Sequence, residues 1–284
     1  MTPDAVSSST PGTARDWIIP QDWAAYSASD HQTWDTLFAR QSRLLPGRAS
    51  NAYLRGLEVL NLSKPGIPDF DELSARLMKL TGWQVVAVPG LVPDDVFFEQ
   101  MANRRFVAGN FIRRPDQLDY LQEPDVFHDV FGHVPMLADP VFADYLQAYG
   151  EGGMHAFERG ALKHLARLYW YTVEFGLIAD PSGLRIYGAG IVSSHSETQF
   201  ALADPSPDRL EFDLERIMRT DYRIDDFQQT YFVIPSLEAL LQTTADVDFG
   251  PIYDRVSLLP EIAPGTMEVG DKVIRRGTQM RLVG

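Results

Sequence analysis

Not one of the 284 residues is a cysteine. The chain has no disulfide to brace it, no thiolate for zinc or an iron–sulfur cluster, and no cysteine nucleophile. It must fold on burial, and 45% hydrophobic residues in a chain of this length can build a sizeable core. Any metal has to be held by imidazole, carboxylate and water. The imidazoles are six: His31, His128, His133, His155, His164 and His195.

The formal net charge is −14 and the pI about 4.8. A nucleic-acid partner would need a basic stripe. The arginine pairs at 104–105, 113–114 and 275–276 are short and scattered. A small organic substrate is therefore expected, and no nucleic acid. No segment is apolar enough over enough length to span a bilayer. The first sixteen residues, MTPDAVSSSTPGTARD, are polar and lack the apolar stretch of a signal peptide, so they read as a flexible tail on a cytoplasmic protein. Residues 17–284 show no repeat and no linker, which predicts one domain.

Periodicity predicts a mainly α domain with small β elements, in the α+β class. Residues 31–62 read as helix, broken at Pro46-Gly47, with Trp34, Leu37, Leu44 and Leu45 near one stripe. Asp69 caps a helix with Glu72 three residues on, and Phe70, Leu73, Leu77 and Leu80 share its face. WQVVAVPG at 83–90 is a short buried strand, 94–103 a helix, and 105–113 extended. From 139 to 178 the chain reads as mostly helix, with a long second part from about His155 to Ile178 that has few breakers. Residues 184–194 are extended, SSHSETQFAL and 236–247 helical, and KVIRR and MRLV short strands.

PDVFHDVFGHVP, 124–135, carries the chemical question. Residues five apart on a regular helix differ by roughly 140° around its axis, so His128 and His133 do not share a face. Gly132 and Pro135 permit a departure from the α-helix at His133. Either unwinding there or a π-type widening would bring the imidazoles together. A lone buried histidine is more often a hydrogen-bonded core residue. In WYTVEFGL, however, Glu174 sits in an apolar and aromatic run where an ionised carboxylate is costly unless paired or bound to a cation. A salt bridge to Arg167 is the plainer alternative. Two histidines and a carboxylate on one side of a metal are the ligand set of non-haem iron(II) oxygenases.

EPDVFHDVFGHVP, WYTVEFGL and YGAGIVSSHSE, in this order and spacing, resemble the pterin-dependent aromatic amino acid hydroxylases. The resemblance runs from about residue 80 to 235. It implies iron(II) on His128, His133 and Glu174, a tetrahydropterin, and O2 as co-substrate. It implies a pterin loop at GLVPD, with Gly90, Leu91, Val92 and Asp94, and a pterin-stacking ring at Phe97. It gives Arg113 the substrate carboxylate, and Pro124, Trp170, Gly190 and Ser193 the amino-acid pocket. Tyr169 and Asp129 stand where the family has groups close to the iron and the pterin. Leu121-Gln122 replace the Thr-Pro of animal members. The short form resembles bacterial members, without a regulatory domain before residue 17 or apolar heptads near the end, so a monomer is expected. L-phenylalanine is the implied substrate, hydroxylated at the para position to tyrosine, with 4a-hydroxypterin as the other product. Ile224 is apolar where tyrosine hydroxylases are acidic, which disfavours tyrosine more than tryptophan.

Each residue also has a plainer reading. Phe97, Tyr169 and Trp170 can be core aromatics, Arg113 a surface charge, Gly90 a turn, Ser193 a helix cap and Glu197 a helix carboxylate. His155, His164 and His195 read as structural. Two other function classes use the same residues. A zinc hydrolase lacks its H-E-x-x-H disposition here, and a non-catalytic helical module would carry the histidines by chance.

Overall fold

Helices dominate, and their ends are set locally. The structure, a computed structural model, describes residues 14–119, 123–245 and 247–278. Residues 1–13 of the expected tail, Leu121-Gln122 and the expected MRLV strand lie outside the described residues. A single 3-10 turn covers Ala14–Trp17. Helix α1 (Ala28–Leu44) starts in a capping box between Ser27 and Asp30. The Pro46-Gly47 break follows, with Gly47 at φ 75°, before α2 (Asn51–Val59). In α3 (Phe70–Leu80) the Asp69 carboxylate accepts from the Asp71 and Glu72 amides, as a cap should. Phe70, Leu73 and Leu77 are buried, but Leu80 is 45% exposed. At 100° per residue it lies about 80° from Phe70, on the last residue of the helix.

Strand β1 (Gln84–Val88) pairs in parallel with β2 (Arg105–Gly109) across α4 (Asp94–Ala102). The expected extended run to 113 stops at Gly109. There the Gly109 amide donates to the Asp129 carboxylate at 2.8 Å. A π-helical segment (Phe127–His133) and a 3-10 segment (Val134–Ala138) lead into α5 (Pro140–Glu158).

The long helix expected beyond His155 is interrupted. Gly160, at φ 65°, ends α5, and α6 (Leu162–Tyr169) passes into a second π-helical segment (Trp170–Glu174). Strands β3 (Leu177–Asp180) and β4 (Gly183–Ile186) follow as a hairpin. The cause is tertiary: a Cβ on Gly176 would fall 2.3 Å from the Tyr187 ring. The extended run predicted over 184–194 holds through Ile186 in β4 but gives way to helix α7 (Ala189–Ser193), followed by α8 (His195–Ala203).

Beyond them come β5 (Asp208–Glu211), α9 (Leu214–Arg219), β6 (Thr230–Ile234), α10 (Leu237–Gln242), α11 (Phe249–Ser257) and β7 (Val273–Arg275). The second sheet has the order β4-β3-β6-β5-β7, with β6 wholly buried. No described helix is long and apolar enough to cross a membrane.

Candidate metal centre and the two cavities beside it

Both histidines lie on the first π-helical segment, and Glu174 ends the second. A π turn closes i→i+5, so residues five apart return to nearly one side. The Phe175 amide to the Trp170 carbonyl, 2.8 Å, is such a bond. Of the two departures the sequence allowed, the structure uses widening. Packing holds it there. Phe127 and Phe131 stack at 4.7 Å, Trp34 and Phe38 of α1 lie edge-on to them, and the Tyr53 hydroxyl donates to the Phe131 carbonyl at 2.6 Å.

His133 Nε2 lies 3.1 Å from Glu174 Oε1, His128 Nε2 is 3.6 Å from Glu174 Oε2, and the two Nε2 atoms are 3.4 Å apart. Donors about 2.1 Å from one ion are separated by roughly 3.0–3.4 Å, so the three fit a single cation. The chemistry of the donors asks for one. Ser193 Oγ donates to the Ala189 carbonyl at 2.8 Å and so accepts from His128 Nδ1, 3.0 Å away. That places the His128 proton on Nδ1 and turns a bare Nε2 toward the carboxylate. Burial pulls the His128 imidazole below its ordinary value and keeps it neutral, although Glu174 acts the other way. Burial pushes the Glu174 carboxyl up, yet the two imidazoles hold it below its ordinary value. A neutral nitrogen lone pair and an ionised carboxylate thus converge, a donor set suited to a cation.

Arg167 is not Glu174's partner. It pairs with Glu261 at 2.8 Å and Asp221 at 3.7 Å. Nor does Ser193 cap a helix: Ser194 caps α8, leaving Ser193 to orient His128. His164 Nδ1 donates to the Met218 carbonyl, away from the centre, and His195 stands exposed at a cavity mouth.

Two cavities meet at the triad and share Pro124, His128 and Glu174. The larger, about 610 Å³, takes in Arg113, Trp170, Gly190, Ser193 and the 69%-exposed Ile224. The smaller, about 240 Å³, takes in Gly90, Leu91, Val92, Asp94, Phe97, Asp129 and Tyr169. Phe97 and Tyr169 meet edge-on at 5.7 Å, and Tyr169 lies 6.2 Å from the His133 ring. Leu91 is 75% exposed at the rim. Burial pushes the Asp129 carboxyl up to about 7, against its bond from the Gly109 amide.

Trp170 stacks on Tyr222 at 4.2 Å and donates to Gln228 Oε1 at 2.9 Å. Gly188 lets α7 close on this wall, since a Cβ there would sit 2.5 Å from the Glu174 carbonyl.

Sequence reasoning missed Asp125. Its fully buried carboxylate takes Arg113 Nε and Nη2 at 2.8 Å each, the Arg113 amide at 2.9 Å and the His128 amide at 3.0 Å. Arg113 Nη1 donates to the Leu118 carbonyl at 3.4 Å. Of the five guanidinium protons, the two at the Nη1–Nη2 end have no acceptor among the described residues and can meet a carboxylate in the cavity. The Arg-x₁₁-Asp spacing gives no signal of its own, because only the tertiary turn brings the two together. Gln228 and Tyr222 were missed for the same reason.

The comparisons agree with this arrangement. A family model described as biopterin-dependent aromatic amino acid hydroxylase matches residues 19–247. A phenylalanine-4-hydroxylase of Caulobacter vibrioides is 61% identical over 280 residues, 98% of this chain and 95% of the relative. One from Chromobacterium violaceum is 57% identical over 264 residues, 93% of this chain and 89% of that one. The crystal structure of the Chromobacterium violaceum enzyme with iron and phenylalanine bound superposes with a TM-score of 0.88 at 55% identity, over 92% of this chain and 95% of that one. With two π-helical turns presenting a two-histidine, one-carboxylate set between two cavities, and with this likeness along nearly its whole length, the chain belongs to the biopterin-dependent aromatic amino acid hydroxylases.

Proposed function

We propose that this protein converts L-phenylalanine to L-tyrosine, using O2 and a tetrahydropterin at a single iron(II) held by His128, His133 and Glu174. The observation that carries the reading is the pair of cavities that meet at the three donors, sharing His128 and Glu174 while His133 faces the smaller. An amino acid and a reductant must reach the same ion from different sides. Bound there, ferrous iron with the pterin as electron donor activates dioxygen to hydroxylate the para carbon of the ring.

The chain's own residues do the positioning. The free end of the Arg113 fork receives the substrate carboxylate, braced by Asp125. Pro124, Gly190 and the Trp170 indole, fixed by Tyr222 and Gln228, wall the aromatic ring. Gly90, Leu91, Val92 and Asp94 line the pterin edge, Phe97 offers its face, and Asp129 and Tyr169 close the space beside the iron. Ile224 puts no charge against a phenyl ring. Residues 17–284 act as one catalytic domain, a cytoplasmic monomer. Sedimentation at the chain mass of 31.9 kDa is expected, and a multiple of it would end the monomer reading.

Anaerobic loading with iron(II), followed by O2, tetrahydropterin and each aromatic amino acid in turn, is expected to yield tyrosine from phenylalanine and little product from tyrosine or tryptophan. Turnover with zinc alone, or a preference for tryptophan, would refute the reading. Ser193→Ala removes the acceptor that sets the His128 tautomer. Iron affinity should fall roughly 10- to 100-fold, read by competition with a chelator; unchanged affinity would deny Ser193 that role.

A further inference from the structure

The buried ionisable groups of the larger cavity are matched, except one. Arg113 faces Asp125, and Glu174 stands with the two histidines. Glu197, 5% exposed and lining the same cavity, has no cation among the groups that act on it. Its Oε1 accepts from the Tyr231 hydroxyl and from the Gln228 amide at 3.4 Å, while Oε2 takes no hydrogen bond from any described residue. Gln228 also holds Trp170, so Glu197 belongs to the same wall.

An amino acid leaving water carries two charges, and each needs an answer. We propose that Glu197 receives the α-ammonium group of the substrate, while Arg113 takes its carboxylate. The inference rests on the amino-acid reading of this cavity. Burial pushes the Glu197 carboxyl up to about 7, against the pull of Tyr231 and Gln228. An ammonium in contact favours the ionised form, so substrate and carboxylate charge each other's site. The side chain touches substrate without touching the reacting ring, and it acts on binding and selection.

The test compares phenylalanine with 3-phenylpropanoate, which keeps ring and carboxylate but lacks the amine. Binding of each to the iron-loaded protein is measured by calorimetry for wild type, Glu197→Gln and Glu197→Asp. The glutamine should lose roughly ten- to a hundredfold in affinity for phenylalanine and almost none for 3-phenylpropanoate. The aspartate should keep a preference for the amine. An equal loss for both ligands would reduce Glu197 to packing, and an unchanged phenylalanine affinity would deny the contact; either overturns the inference alone. Failure of wild type to bind phenylalanine overturns the substrate reading with it.

Discussion

Glu174→Ala is expected to abolish tyrosine formation while leaving the fold in place. The carboxylate is the one anionic donor of the triad, and without it two imidazoles from a single π-helical segment must hold the ion. Turnover should fall at least about a thousandfold, some 4 kcal/mol at 1.4 kcal/mol per decade. Bound iron should fall with it. His133→Ala is expected to behave alike, because His133 Nε2 is the nitrogen nearest the carboxylate, at 3.1 Å. Metal analysis, product chromatography and a melting curve separate the effects: normal iron content and turnover in either variant would end the ligand assignment.

The second large effect is expected at Asp125. Asp125→Ala leaves the Arg113 guanidinium, 9% exposed, without its counter-charge, and frees the amide that leads into the His128 turn. Removing one partner of a buried pair costs about 3–5 kcal/mol. At roughly 2 °C per kcal/mol for a large domain, the melting temperature should drop by several degrees, and KM for phenylalanine should rise. Asp125→Asn keeps the shape and an acceptor, and should lose less. Burial pushes the Asp125 carboxyl up, but Arg113 holds it below its ordinary value. Its contribution is therefore full above the unfolded carboxylate pKa and fades as pH falls through the lower, folded one. The wild-type advantage over Asp125→Asn should accordingly shrink in strong acid. A melting temperature unchanged in Asp125→Ala would show that the pair does not brace the site.

The local features were legible. Asp69 caps its helix, and the Pro46-Gly47 and Gly132–Pro135 signals fall at real departures from helix. These depend on neighbours within a turn, which sequence displays directly. The segment after His155 was misread because its interruptions are imposed from elsewhere. Gly176 is needed where Tyr187 crosses, and the second π turn lies against α7. Residues 205–235 were left without assignment, although β6 carries a buried apolar run.

From the letters alone came the absence of thiol chemistry, the three donors and the family motifs around them, since residue types and spacing limit which ions a chain can hold. Tertiary structure alone decided that His128 and His133 converge by widening rather than unwinding, because the choice lies with Tyr53, Trp34 and Phe38 packing from other helices. It also decided which way Arg113 points and that Glu197 is buried with no cation among the groups that act on it. Those outcomes depend on contacts between residues a dozen or more positions apart, and spacing along the chain carries no record of them.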